Sequence, residues 1–74
     1  MITVFFFGRM ADVAGRRRVD IAVPDGGLRL LGLREQVLPG ENGVRMSLNR
    51  EVVHGDADVA DGDEVAFFSV FSGG

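Results

Sequence analysis

A chain of 74 residues, 46% of them hydrophobic, supports one hydrophobic core, and we expect a single domain over residues 1–74. The chain has no cysteine and one histidine, which excludes a disulfide framework and a structural zinc site built from Cys and His. The net charge of −3 opposes binding to nucleic acid. No apolar run approaches the roughly 20 residues of a membrane span. We therefore expect a cytosolic protein that binds neither nucleic acid nor a membrane.

The first third of the chain predicts a strand, a helical turn and a second strand. Residues 2–7 are β-branched and aromatic, and both faces of this strand are apolar, which is typical of a central position in a sheet. Residues 9–14 place apolar side chains at helical spacing before Gly15 and predict a short helical turn. Residues 17–23 alternate apolar with charged or small side chains as far as Pro24, so they predict a half-buried strand and an initial hairpin.

The middle of the chain predicts one short helix. Asp25 is placed to cap a helix over residues 27–37. The apolar side chains of this segment fall on one broad arc, formed by Leu30, Leu31, Leu33, Val37 and Leu38. Gly32 inside the helix costs about 1 kcal/mol relative to alanine, so we expect a helix that depends on packing and ends at Pro39 and Gly40.

The last third predicts a second hairpin and a final strand. Residues 44–48 alternate in polarity, Asn49 and Arg50 supply a turn, and a brief strand follows at residues 52–53. Residues 61–63 (DGD) predict a tight turn before residues 65–70, which are again apolar on both faces and belong at the sheet's centre. This order of elements predicts an α+β fold in which one helix covers one face of a mixed sheet.

Three stretches carry a resemblance to a known family. They are residues 4–9 (VFFFGR) with 11–15 (ADVAG), residues 48–51 (LNRE), and residues 60–68 (ADGDEVAFF) leading to 72–74 (SGG). On these residues the chain resembles the ubiquitin-like sulfur-carrier family, most closely the small subunits of molybdopterin synthase. The resemblance implies a β-grasp fold. The chain departs from the family pattern at residues 26–28 (GGL), before a helix that is usually longer, and at residues 69–70 (SV), where two prolines are usual.

The resemblance also implies a reactive carboxylate on Gly74, preceded by Gly73, in a flexible tail over residues 71–74. An adenylyltransferase similar to ubiquitin-activating enzymes would use ATP and Mg²⁺ to adenylate this carboxylate, and sulfur would convert it to a thiocarboxylate. The tail would then enter the large subunit of molybdopterin synthase, within a heterotetramer, and sulfurate a cyclic pyranopterin precursor of the molybdenum cofactor. The chain would therefore be an accessory subunit that binds no cofactor and is not itself an enzyme.

Strand parity predicts a docking surface beside the start of this tail. If Ile2, Val4 and Phe6 face the helix, the alternate side chains of both central strands point to the opposite face. An apolar patch then remains uncovered, and such patches mark docking sites. We predict partner contacts at Phe7, Phe68, Val70, Phe71 and Ser72. The alternative is that the turn after Gly8 folds over the patch.

Other motifs carry no chemistry of their own. The acids of residues 56–64 lack the spacing of an EF-hand calcium loop, so they predict a solvated turn that can attract a basic partner. Residues 16–18 (RRR) have no interleaved aromatic residue and predict the shoulder of a hairpin rather than a nucleic-acid contact. His54 is predicted to be a surface loop residue, and no metal cluster or nucleophilic triad includes it. No glycine-rich phosphate loop follows a strand, so ATP has to be bound by the partner.

Two other functions remain open at this point. A sulfur carrier for the thiazole of thiamine would share the fold and the tail, and only residues 6–9 (FFGR) and the Phe67–Phe68 pair favour the molybdopterin pathway. A ubiquitin-like modifier or interaction module would use the same patch, and a modifier would join Gly74 to lysines of other proteins.

Overall fold

The computed structural model describes residues 1–69, which contain seven strands and two helices. In chain order these elements are β1 (Ile2–Phe6), α1 (Arg9–Ala14), β2 (Arg18–Ile21), β3 (Leu28–Arg29), α2 (Leu30–Val37), β4 (Val44–Leu48), β5 (Glu51–Val53), β6 (Asp58–Val59) and β7 (Glu64–Ser69). The predicted first strand, helical turn, half-buried strand, second hairpin and final strand are confirmed, with small shifts in their bounds. Val70, the predicted end of the final strand, lies outside the described residues.

Five of the strands form one mixed sheet in the order β2-β1-β7-β4-β5. β1 and β7 run parallel, with Val4 opposite Val65 and Phe6 opposite Phe67, and the other neighbouring strands run antiparallel. β3 and β6 form a separate two-stranded ladder. The first and last strands of the described chain are therefore central, as their two apolar faces predicted.

The hydrophobic core lies on the inner face of the sheet, toward α2. It consists of Ile2, Val4, Phe6, Met10, Leu30, Leu33, Leu38, Met46, Val59, Val65 and Phe67. Alternate side chains of the central strands β1 and β7 supply five of these eleven residues, as parity predicted, and the Phe6 and Phe67 rings stack with their centroids 6.0 Å apart. No polar or charged residue within residues 1–69 is buried, so burial of apolar surface stabilises the fold.

The prediction of a helix over residues 27–37 capped by Asp25 was wrong at its start. α2 begins at Leu30, because the two residues before it are extended and pair with β6. Arg29 occupies the N-cap position with φ −104° and ψ 148°, and its own side chain does not cap the helix. A tertiary strand pairing thus shortens the helix, which local propensity alone had extended.

Two apolar residues assigned to helix faces by their spacing are instead exposed. Leu31 is 39% exposed and Val13 is 43% exposed. With eight residues, α2 presents only a narrow strip to the sheet, so Leu30 and Leu33 are buried and Leu31 points outward. Within residues 1–69, no helix has the length and apolar character that crossing a membrane requires.

Gly8 redirects the chain from β1 into α1. Its φ of 55° and ψ of −128° belong to a region that residues with a Cβ rarely adopt. After this turn Met10 enters the core, and Gly15 ends α1 in the left-handed conformation, with its N–H donating to the Ala11 carbonyl at 2.9 Å. The predicted capping role of Gly15 is confirmed, and α1 packs against the core side of the sheet.

The turn between β4 and β5 is tied to the start of β7. Asn49 and Arg50 both have positive φ, 51° and 71°, which produces the tight reversal that their sequence predicted. The Asn49 side chain accepts from the Glu64 N–H at 2.9 Å and donates to Asp63 Oδ1 at 3.0 Å. These bonds fix the first residue of β7 relative to the second hairpin.

Asp56 takes the capping role that the sequence assigned to Asp25. Its Oδ1 accepts from the N–H groups of Leu31 and Ala57, both at 2.9 Å, and its Oδ2 accepts from Arg29 Nε at 3.1 Å. The Leu31 N–H at the helix start, aided by Arg29 and Ala57, holds the pKa of the Asp56 carboxyl below its usual value. The folded chain thus stabilises the ionised form of the Asp56 carboxyl relative to the unfolded chain.

We expect this lowered pKa to make stability fall in acid. An unfolded Asp titrates near pH 3.9, so the Asp56 contribution is complete above about pH 4 and is lost as pH falls through the lower pKa of the folded state. The Asp56→Asn variant should be less stable at pH 7 and should lose less stability on acidification. Urea unfolding between pH 7 and pH 2 measures this, with Asp58→Asn, whose side chain is 85% exposed, as the control. Equal acid sensitivity of the wild type and Asp56→Asn would contradict the assignment.

Candidate docking interface

The face of the sheet away from α2 is the candidate functional site. Phe5, Phe7, Ser47, Ala66 and Phe68 lie on it, because they alternate with buried residues along β1, β4 and β7. We refer to these five residues as the outer face. Phe7 is 54% exposed, and the other four side chains are partly exposed. The turn after Gly8 therefore does not cover Phe7, and that alternative is wrong.

Aromatic side chains give the outer face its apolar character. The Phe5 and Phe7 rings stack with their centroids 6.2 Å apart and their planes 22° from parallel. These two rings, with Ala66 and Ser47, line a depression of about 370 Å³, and Arg50 and Glu64 also contribute to its lining. A partner side chain could enter this depression, and the stacked rings would present a largely preformed surface to it.

Arginines flank the outer face on three sides. The Arg18 guanidinium carbon lies 5.8 Å from the Phe5 ring centroid, within the range of a cation–π contact. Arg45 is directly opposite Phe68 across the β4–β7 pairing, and Arg50 lies 3.5 Å from Glu64. No local sequence pattern assigned these arginines to the site. Only the strand register brings them beside the phenylalanines.

The acidic turn at residues 61–63 lies at the other end of β7 from Ser69. Residues 61–63 form the turn before β7, and β7 runs from Glu64 to Ser69, which separates the two ends by roughly 17 Å. The Ala60 N–H and the Asn49 side chain donate to Asp63 and lower the pKa of its carboxyl. Much of the stretch is thus used in local hydrogen bonds, and the prediction that it attracts a basic partner stays a prediction.

Residues 1–69 contain no cluster of metal-ligand side chains. No group of three or more His, Cys, Asp or Glu residues in this range is arranged to hold a metal ion. His54 is exposed directly after β5, which confirms its placement as a surface residue. Arg16 and Arg17 lie in the connection from α1 to β2, and Arg18 is the first residue of β2. This position matches the predicted shoulder of the hairpin.

The predicted reactive end lies outside the described residues. Val70, Phe71, Ser72, Gly73 and Gly74, all named as candidate site residues from the sequence, belong to this part of the chain. The described part of the candidate site is therefore its docking half, at Phe7 and Phe68. The chain reaches residues 70–74 from Ser69, the neighbour of Phe68 on β7.

A family model decides the relationship that the fold and motifs indicate. The model described as the ThiS family matches residues 4–74. This chain belongs to the ThiS family. The ThiS-family match places the chain among small ubiquitin-like sulfur carriers, which act as carriers or modifiers rather than as catalysts. It does not separate the molybdopterin pathway from the thiazole pathway.

A solved structure supports the same assignment. The crystal structure of SAMP1 from Haloferax volcanii is similar to this ThiS-family chain, with 28% sequence identity and a TM-score of 0.71. The alignment covers 99% of this chain and 98% of SAMP1. No curated protein matches the chain in sequence. The prediction of a β-grasp fold, a mixed sheet with one main helix on one face, is confirmed.

Proposed function

We propose that this chain carries sulfur as a thiocarboxylate on Gly74. The observation that carries the proposal is the ThiS-family match, since it extends through residues 4–74 and so includes the Gly73–Gly74 pair. An α-carboxyl has a pKa of about 3.3–3.7 and is ionised at neutral pH, which makes its oxygen a nucleophile. Glycines, which lack Cβ, allow an enzyme's walls to approach the chain closely at this point.

The chemistry takes place in two steps on a partner enzyme. The Gly74 carboxylate oxygen attacks the α-phosphorus of ATP, and pyrophosphate leaves with the electrons of the broken P–O bond. A sulfur nucleophile at the oxidation level of sulfide then attacks the carbonyl carbon of the acyl-adenylate, and AMP leaves. The product is a thiocarboxylate, which can attack a substrate in a second partner. The partner supplies ATP, Mg²⁺ and the catalytic side chains.

The outer face is the surface that we propose to dock these partners. Phe7 and Phe68 offer exposed apolar area beside the last described residue of β7, where a docked enzyme would meet the chain that continues to Gly74. Arg18 and Arg45 border the same area, so a matching partner surface is apolar at its centre and acidic at its rim.

We further propose that the sulfur is used in molybdopterin synthesis. The residues that favour this pathway over thiazole synthesis are the FFGR sequence at residues 6–9 and the Phe67–Phe68 pair. In this pathway the thiocarboxylate enters the large subunit of molybdopterin synthase, in a heterotetramer, and sulfurates a cyclic pyranopterin precursor. The chain remains an accessory subunit throughout.

Intact-mass spectrometry tests the carrier function. The chain is incubated with its activating enzyme, ATP, Mg²⁺ and a sulfide donor, and its mass should increase by the difference between sulfur and oxygen. A variant that lacks Gly74 is the matched control and should show no increase. Absence of the increase in the intact chain, with an activating enzyme that modifies another carrier, would refute the proposal. Attachment of the chain to lysines of other proteins would instead establish a modifier.

Complementation separates the two pathways. The gene is expressed in one strain that lacks its molybdopterin synthase small subunit and in another that lacks its thiazole sulfur carrier. Recovery of molybdoenzyme activity in the first strain alone is expected. Recovery of thiamine-independent growth alone would assign the chain to thiazole synthesis and overturn the pathway proposal, while leaving the sulfur-carrier chemistry intact.

A further inference from the structure

One edge of the five-stranded sheet is open for pairing. Within residues 1–69, β2 is the outermost strand on its side and pairs only with β1. The Phe6 N–H donates to the Arg17 carbonyl at 2.9 Å, which fixes the alternation of the antiparallel ladder. Val4 and Val19 then form a hydrogen-bonded pair, whereas the N–H and C=O groups of Arg18 and Asp20 point away from β1. Two residues thus offer four backbone groups to an added strand.

A groove with both apolar and polar lining residues, Gln36 and Arg16 among the polar ones, runs beside this edge on the inner side of the sheet. Val19 and Ile21 are half-buried and face into it, together with Phe6 from β1 and Val37 from α2. The groove has a volume of about 240 Å³, and Arg16 is one of its lining residues. Side chains of an added strand opposite Val19 and Ile21 would point to the same side of the sheet and fill this groove.

The charges at the edge indicate the character of the occupant. Arg16 and Arg17 are exposed, and their side chains have no hydrogen-bond or ion-pair partner within residues 1–69. Arg18 contacts Asp20 at 3.4 Å and the Phe5 ring at 5.8 Å, and both charged side chains remain largely in water. Three consecutive guanidinium groups therefore lie at one end of an edge strand, where an acidic segment would be attracted and a basic segment repelled.

We propose that the β2 edge binds an extended acidic segment of a partner protein as a sixth strand. The segment places apolar side chains opposite Val19 and Ile21 and carboxylates beside residues 16–18, while its backbone pairs with Arg18 and Asp20. The charged side chains of β2 discourage unselective pairing, so the acidic character of the segment provides selectivity. This site lies at the sheet edge rather than on the outer face, and it does not depend on the chemistry of Gly74.

Peptide titration of the ¹⁵N-labelled full chain tests the proposal. The two probes are Val-Ser-Val-Asp-Asp-Asp, which fits β2 in antiparallel orientation, and Asp-Asp-Asp-Val-Ser-Val, which fits it in parallel orientation. At least one should shift the amide signals of residues 16–21. At near-saturating peptide, hydrogen exchange of the Arg18 and Asp20 amides should slow by about tenfold or more. Val-Ser-Val-Lys-Lys-Lys, the control, should not bind.

Two variants separate strand pairing from charge attraction. Asp20→Pro removes an N–H that β1 does not use, and proline is tolerated on edge strands, so the fold should persist while peptide affinity falls about tenfold or more. The double variant Arg16→Glu and Arg17→Glu should lose the acidic peptide and gain the lysine peptide. Retention of the native amide spectrum shows that each variant is folded.

Several results would overturn the proposal. One such result is that neither acidic peptide binds at millimolar concentration, or that the lysine peptide binds equally well to the wild type. A second is that the peptide shifts the amide signals of Phe5 and Phe7 instead of those of residues 16–21. A third is that sedimentation shows the free chain to be a dimer and hydrogen exchange shows its Arg18 and Asp20 amides to be already protected. A second copy of the chain would then be the occupant of this edge.

Discussion

The Phe67→Ala variant should lose about 3–5 kcal/mol of the free energy of unfolding, the usual cost of removing a fully buried phenylalanine. Phe67 has no exposed surface, stacks on Phe6, and lies in β7 between β1 and β4. A domain of this length has a total stability of roughly 4–11 kcal/mol. We therefore expect a substantial unfolded population at 37 °C. Urea unfolding followed by far-UV circular dichroism measures the loss.

Phe68→Ala is the matched control for this prediction. The two phenylalanines are adjacent in β7, but Phe68 points to the outer face and is only half-buried. Its replacement should lower the free energy of unfolding by about 1 kcal/mol, because much of its surface is already in water. Comparable losses in the two variants would show that the faces of β7 are not assigned as described.

The Phe7→Ala variant should bind the activating enzyme about 30-fold more weakly, which corresponds to a hot-spot loss of about 2 kcal/mol. Phe7 is 54% exposed, stacks on Phe5, and lies next to the strand that continues to Gly74. Its stability should change little, since the side chain is largely outside the core. Titration calorimetry with the purified enzyme, together with thermal unfolding of each variant, measures both quantities.

Leu31→Ala is the control for this second prediction. Leu31 is also an exposed apolar residue, at 39%, but it lies on α2, on the opposite side of the sheet from Phe7. The Leu31→Ala replacement should leave the affinity for the activating enzyme unchanged.

In pyrophosphate-release kinetics, Phe7→Ala should raise KM for the carrier and leave kcat unchanged, because docking precedes chemistry at Gly74. Equal effects of the two variants would argue against the outer face as the docking surface.

Periodicity determined most of the fold, because burial imposes a different repeat on each kind of element. The two-sided apolar pattern of residues 2–7 and 65–70 predicted two central strands. The alternation around Val19 predicted a half-buried strand, and Asn49 with Arg50 predicted the second turn. These features depend on neighbours in the chain, so a single sequence contains them. Phe7 and Phe68 were assigned to one face by the same argument.

Contacts between distant residues were decided only by the tertiary structure. The start of α2 depends on the pairing of Leu28 and Arg29 with β6, and its cap is Asp56, 25 residues beyond Leu31. Likewise, Arg45 borders the docking surface because the register sets it opposite Phe68, a relationship that no local pattern contains. Local rules fix which face a side chain takes, whereas strand order and register fix its neighbours, and those arise only when distant segments pair.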